Sequence, residues 1–251
     1  MPNQSITHSV SHQLKIALSG QRLLYAVCDK NNQILTSGER YLSDHKSLQD
    51  LLDRDDILSN IYAQSEMIVL SPKFVLAPED IARGDQDYAL FKLNNKAQAD
   101  ERIFRDHSLE KIEIQHAGPR EFMRLIKNKF PNIKRGHIAT FFIEQIPKLE
   151  TGQSNNIQVF VDEKYLYLTI SKSGNLLLCN SYFCSSSEDL FYFTMLAIEQ
   201  LKLEPKEISI VLYQETGMNQ NLRELFKNYV QNVSNRSEGN LSFVEIWNQC
   251  A

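Results

Sequence analysis

The feature that most constrains the fold is an internal repeat, in which two segments of the chain align without a gap. Residues 14–36 align with residues 157–179, at a constant offset of 143 positions. Few residues are identical, but apolar residues coincide along both segments and polar breaks fall at the same places. A shared pattern of this kind indicates that one structural unit occurs twice in the chain.

Each repeat begins with two runs of alternating apolar residues, the pattern of a strand with one buried face. The runs are centred on Ile16 and Tyr25 in the first copy, and on Val159 and Leu168 in the second. Polar breaks of hairpin length separate the two runs of each copy. A second turn, rich in turn-forming residues, then leads to a third strand in both copies.

Both copies continue with a helix and a fourth strand. Ser and Asp residues suited to capping precede the helices, which are predicted over residues 47–63 and 188–203. Short apolar runs without alternation follow at residues 67–70 and 208–212, as is typical of buried central strands. We therefore predict two βββαβ units with right-handed crossovers.

The two halves differ after the fourth strand. The first half, residues 1–150, contains an insertion at about 78–145 that has no partner in the second half, residues 151–251. Pro78 suits the first turn of a short helix. Beyond it we predict a helix over 119–130 and strands near 88–92, 111–115 and 137–145. The second half is predicted to end with a helix over 219–233 and a strand over 241–246.

This plan resembles the actin-like ATPase fold, an α/β architecture of the ribonuclease H-like type with duplicated halves. The segment that follows the fourth strand, Pro-Lys-Phe-Val-Leu-Ala-Pro over residues 72–78, resembles more narrowly one bacterial family with this fold, domain-of-unknown-function family 3822. The resemblance extends from Leu14 over nearly the whole chain. It implies a fold and no mechanism, because the family has no established activity.

In active proteins of this fold, nucleotide lies between the halves, and the first hairpin of each half approaches the phosphates. The resemblance implies a glycine in each hairpin for close backbone approach and an aspartate for the metal ion. The first hairpin has Gly20 but no aspartate, and the second has Asp162 but no glycine. The adenosine-binding turn of relatives has paired glycines, whereas this chain has Gly217 alone. Gly20, Asp162 and Gly217 are the nucleotide-site candidates, and Gly20 and Gly217 also suit ordinary turn geometry.

A second candidate site is a basic helix within the insertion. Arg120, Arg124 and Lys127 are spaced i, i+4 and i+7, so they share one helix face. Such a face is commonly just solvated. The functional interpretation is a docking surface for an acidic partner, either a protein or RNA. The sequence contains no RNA-binding motif there, and stacking aromatic residues are not interleaved.

Composition excludes several other functions. The net charge of -4 gives no general case for nucleic-acid or membrane binding, and no apolar run is long enough to span a bilayer. The six histidines and four cysteines form no metal-binding motif. Four scattered cysteines and the lack of a secretory signal favour a cytoplasmic protein with reduced thiols.

These observations favour a non-catalytic protein-interaction or scaffold protein, with no catalytic residue, no metal site and no required cofactor. One alternative is a divergent nucleotide-binding ATPase or kinase-like protein that uses ATP and magnesium. Another is an RNA-associated adaptor. The sequence does not identify the partner or the oligomeric state.

Overall fold

The computed structural model describes residues 11–84, 88–107, 111–149, 155–213, 222–236 and 242–250. The strands are β1 (Gln13–Ser19), β2 (Arg22–Cys28), β3 (Ile34–Tyr41), β4 (Gln64–Val69), β5 (Phe74–Pro78), β6 (Glu101–His107), β7 (Ile112–Pro119), β8 (Lys134–His137), β9 (Asn155–Asp162), β10 (Tyr165–Lys172), β11 (Asn175–Phe183), β12 (Ile208–Leu212) and β13 (Asn232–Asn235). The α-helices are α1 (His45–Arg54), α2 (Glu79–Ala82), α3 (Ala89–Asn94), α4 (Arg120–Lys129), α5 (Ile138–Leu149), α6 (Ser187–Gln200), α7 (Leu222–Lys227) and α8 (Phe243–Cys250). A short 3-10 helix spans Pro205–Glu207.

Two five-stranded sheets share one topology. Their strand orders are β3-β2-β1-β4-β8 and β11-β10-β9-β12-β13. In each sheet the first three strands are antiparallel, and the fourth and fifth are parallel to the first. The predicted pair of βββαβ units, and with it the α/β fold class, is therefore confirmed.

The two repeats agree in register as well as in topology. Ile16 is paired with Tyr25 in the first sheet, and the aligned residues Val159 and Leu168 are paired in the second. The backbone N–H after the third strand also bonds to the first hairpin in both copies. Leu42 N donates to Gln21 O, and Cys184 N donates to Lys164 O, each at 2.7 Å. The apolar alternation thus specifies the same strand pairing twice.

The helix that follows the third strand is capped in both halves. The Asp44 side chain accepts from Ser47 N at 2.8 Å, and the Ser186 side chain accepts from Asp189 N at 3.3 Å. Helix α1 is shorter than the predicted 47–63 because the chain turns at Asp55. The Asp55 carboxylate accepts from Ile57 N and Leu58 N, which supports the turn.

The insertion forms a small antiparallel sheet, β5-β7-β6, together with α2, α3 and α4. The predicted helix over 119–130 is confirmed as α4. The strand predicted near 88–92 is wrong, since α3 covers Ala89–Asn94. Of the helix predicted over 219–233, residues 222–227 are helical, residues 232–235 form β13, and residues 219–221 lie outside the described part.

Two strand predictions, over 137–145 and 241–246, are wrong for a common reason. The structure has helix α5 at Ile138–Leu149 and helix α8 at Phe243–Cys250. Helix α5 contacts β9, β10 and β11 of the second sheet, and α8 contacts β1, β2 and β3 of the first. Short apolar runs of this kind are compatible with a buried strand or with a buried helix, and periodicity alone does not decide between them.

The core between the halves is aromatic. Phe142 from α5 lies against Phe160 from β9, with ring centroids 5.8 Å apart. On α8, the Asn248 side chain accepts from Lys15 Nζ at 2.8 Å, and Lys15 is 1% exposed. Each half therefore completes its packing with a helix contributed from the other part of the chain. Among the described helices, none has the length and apolar character needed to cross a bilayer.

Candidate functional site

The hairpins that begin the two halves touch at their tips. Ser19 ends β1 and Asp162 ends β9, at positions that the repeat makes equivalent. Ser19 Oγ donates to Asp162 Oδ2, and Arg22 Nη2 donates to Asp162 Oδ1. Both carboxylate oxygens of Asp162 are therefore bonded by side chains of the opposite hairpin.

Arg22 is the centre of this contact. Its Nε donates to Glu163 Oε1 at 2.9 Å, and its Nη1 lies 3.7 Å from Glu39 Oε1. The side chains of Arg22 and Asp162 are only 22% and 12% exposed. Burial raises the pKa of Asp162, and the attraction to Arg22 offsets only part of that rise. Burial alone would lower the pKa of Arg22, but Asp162 and Glu163 outweigh it and raise that pKa overall.

The backbone of the two turns is also equivalent. Gly20 has φ +52° and Glu163, its counterpart in the repeat, has φ +51°. A Cβ added to Gly20 would have no heavy atom within 4 Å. Glycine at this position therefore serves the left-handed backbone conformation rather than close approach to another group. Gly217, the third nucleotide-site candidate, lies outside the described residues.

A crevice of about 700 Å³ adjoins the first hairpin, at the carboxyl ends of β1 and β4. Its lining includes four carboxylates but a single arginine, Arg120. The carboxylates belong to Asp44, Asp100, Glu101 and Glu121. Glu101 is paired with Lys73 and Glu121 with Arg124, so Asp44 and Asp100 carry the remaining negative charge, which disfavours a phosphate group. Within the described ranges, no three His, Cys, Asp or Glu side chains come together closely enough to hold a metal ion.

The predicted basic face of α4 lines a larger groove of about 1000 Å³, together with β6, β8 and α5. Arg120, Arg124 and Lys127 are exposed on its rim. Arg124 is paired with Glu121 at 2.8 Å, one turn away on the same helix. Lys129, on another side of α4, donates to Ser59 O at 2.6 Å and so has a structural role.

Sequence reasoning missed Ser19 and Arg22, and it also missed a buried histidine pair. The rings of His116 on β7 and His137 on β8 are stacked 4.5 Å apart, and both residues are 0% exposed. His137 Nε2 lies 2.9 Å from Ser71 O, so we assign the proton to Nε2. Burial lowers the pKa of His137 to about 3 and lowers that of His116 well below its ordinary value. The two residues are distant in sequence, and no motif marked them as a pair.

The comparison with protein families identifies the chain's relatives. The family model for "Protein of unknown function (DUF3822)" matches residues 2–233. The chain belongs to this family. No curated protein matches the chain.

Solved structures support the same fold. A Bacteroides thetaiotaomicron protein with actin-like ATPase fold and unknown function is similar, with a TM-score of 0.85 and 20% identity over 100% of both chains. The PilM–PilN type IV pilus biogenesis complex is also similar, with a TM-score of 0.53 and 10% identity over 90% of this chain and 88% of that chain. At these identities the likeness establishes the fold alone, and it confirms the predicted actin-like ATPase architecture.

Proposed function

We propose that this chain is a non-catalytic protein-interaction scaffold whose cleft between the halves is closed to nucleotide. The observation that carries the proposal is the contact of Asp162 with Ser19 and Arg22. An Mg²⁺ ion is bound through carboxylate oxygens, and both oxygens of Asp162 already accept hydrogen bonds.

Charge around the hairpins supports the same conclusion. Arg22 is the cation at the contact between the two hairpins, and it is already paired with Asp162 and Glu163. Breaking these pairs would leave the largely buried Asp162 carboxylate without its countercharge, which is costly. The neighbouring crevice adds further negative charge. Nucleotide binding would have to overcome both costs.

The fold itself is compatible with a scaffold role, because folds of this kind carry unrelated functions at different sites. One structure of the same fold is a complex between two proteins, PilM and PilN. We therefore infer that the duplicated architecture of this chain presents surfaces to a protein partner instead of positioning ATP.

The test is thermal unfolding of the full chain with millimolar ATP and magnesium. A ligand at one hundred times its dissociation constant stabilises a protein by about 2.7 kcal/mol, which a melting curve detects readily. We expect no change in melting temperature for the natural sequence. An increase that disappears in Asp162→Ala would contradict the proposal and favour the nucleotide-binding alternative. The matched control is Asp80→Ala, which alters a carboxylate on helix α2, outside the cleft.

A further inference from the structure

The groove beside α4 carries a strong imbalance of charge. Its lining contains seven Lys and Arg residues but only four Asp and Glu residues, whereas the whole chain has a net charge of -4. The six most exposed cations stand on the rim: Arg102, Arg120, Arg124, Lys127, Lys134 and Arg135. A concentrated positive rim on an acidic protein favours a ligand of opposite charge.

Several of these cations lack a strong partner of their own. Within the described part of the chain, Arg102, Arg120 and Lys127 form no ion pair. The Lys134 ammonium is 3.9 Å from Glu66, and the Lys134 side chain is 80% exposed. Exposed pairs of this kind contribute little to folding stability. A contribution to folding stability therefore does not explain why these cations lie together here.

The walls of the groove are held rigidly. Helix α4 buries Met123, Leu125 and Ile126, which fixes the direction of its cationic face. On the opposite wall, the Arg135 guanidinium lies 4.5 Å from the ring centroid of Phe104. Apolar side chains of Met123, Ile133, Phe141 and Trp247 also line the groove. A rigid apolar lining under a charged rim suits a chain with alternating acidic and apolar residues.

We propose that this groove binds an extended, acidic segment of a partner protein, whose carboxylates pair with four exposed cations of the rim: Arg102, Arg120, Arg124 and Lys127. Alternate residues of an extended segment are about 6.6–6.8 Å apart. Residues four apart on a helix are separated by about 6 Å along its axis, so Arg120 and Arg124 match that spacing. This inference rests on the proposed interaction function and names the chemistry of the partner.

The observations favour a protein segment over RNA. Four carboxylates are interspersed with the cations of the lining, so the groove suits negative charges that are separated by apolar side chains better than a continuous phosphate backbone. The face of Phe104 is covered by Arg135, so it is not open for a base to stack on. Preferential binding of RNA is therefore an outcome that would overturn the proposal.

The experiment uses the full chain and fluorescent twelve-residue peptides in which Glu alternates with varied apolar residues. A matched set carries Lys in place of Glu, and polyuridine RNA is a third probe. We expect saturable binding of acidic peptides only, measured by anisotropy and weakened by salt. The triple variant Arg120→Glu, Arg124→Glu, Lys127→Glu should weaken binding at least about tenfold, since three exposed pairs of up to about 1 kcal/mol each are lost.

The matched control is Lys46→Glu, Lys172→Glu, Lys206→Glu, which makes the same charge change outside the groove and should leave binding intact. If the first triple variant lowers the melting temperature, Arg102→Glu on β6 tests the same groove from its opposite wall. The proposal is overturned if no acidic peptide binds, if both triple variants bind equally well, or if polyuridine binds in preference. Failure of peptide binding with an unchanged melting temperature in ATP would reject this inference and leave the scaffold proposal standing.

Discussion

The two halves have the same sheet topology but differ in the connection between their fourth and fifth strands. In the second half, 19 residues separate Leu212 from Asn232, whereas in the first half 64 residues separate Val69 from Lys134. The strands common to both halves bury equivalent apolar positions. The long connection carries the small sheet, the basic helix and the larger groove. The repeated part thus provides packing, and the part present once provides the distinctive surface.

The largest expected effect is the loss of stability caused by a cavity in either core. It tests whether the two halves contribute equally to the stability of the protein. Leu23 and Leu166 are identical residues at equivalent positions of β2 and β10, and both are 0% exposed. Each substitution, Leu23→Ala or Leu166→Ala, should destabilise the protein by about 2–5 kcal/mol, because it leaves a cavity in a buried core. Chemical denaturation followed by circular dichroism measures the loss. We expect similar losses and one cooperative transition in both variants, because α5 and α8 connect the halves. Two separate transitions would show that the halves unfold independently.

An effect of intermediate size should follow from acid, and the buried imidazoles that cause it lie in the first half alone. All six histidines lie at or before His137, so the second half has none. An unfolded imidazole binds a proton near pH 6.5, but His137 in the folded state does so only near pH 3. The unfolded state therefore binds more protons between these values, and stability falls as the pH drops below 6.5. At pH 5 the loss is about 2 kcal/mol for one such imidazole.

The matched variant for this acid effect is His116→Phe, which keeps an aromatic ring stacked between Phe104 and His137. It removes one of the two buried imidazoles, so the dependence of stability on pH should become shallower. The measurement is urea denaturation at pH 7.5, 6, 5 and 4.5. An identical pH dependence in the natural sequence and the variant would show that His116 does not contribute.

The smallest effect concerns the turn of the first hairpin, at Gly20. Gly20→Ala should lower the free energy of unfolding by about 1 kcal/mol, because alanine must adopt the left-handed conformation at φ +52°. The added Cβ would have no heavy atom within 4 Å, so a steric clash adds nothing to this cost. Gly20→Asn should cost less, since asparagine tolerates that conformation. Melting temperatures of the two variants test this order. A larger loss of stability for Gly20→Asn than for Gly20→Ala would mean that glycine is required because a larger side chain does not fit, and not because of the backbone conformation.

The sequence was informative where polar and apolar residues alternate or follow helical spacing. Alternation around Ile16 and Val159 predicted β1 and β9, although both faces of these strands are buried, and helix spacing predicted α4. It was misleading for α5. The run from Ile138 to Ile143 looked like a strand because five of its six residues are apolar and it is too short to show a helical period. Sequence spacing alone could not reveal that the helix is enclosed between the sheets.

The candidate site was predictable in position but not in its contacts. The repeat placed Gly20 and Asp162 at equivalent hairpins, and the structure brings those hairpins together. Arg22 and Asp162 are 140 positions apart, so their ion pair depends on how the halves meet. The basic face of α4 was visible in sequence because its residues are local neighbours. The opposite wall of the groove, with Arg102 and Arg135, comes from strands whose proximity only the tertiary fold establishes.

The contact between Lys15 and Asn248 has a consequence for biosynthesis. The two residues are 233 positions apart. At translation rates of about 5–20 residues per second, roughly 10–50 s pass between the synthesis of β1 and the arrival of α8. Until α8 is made, β1 carries a charged lysine on the face that α8 will cover, between the apolar residues Leu14 and Ile16. We expect this charge to keep the uncovered face hydrated and to oppose association with neighbouring chains until α8 replaces the water.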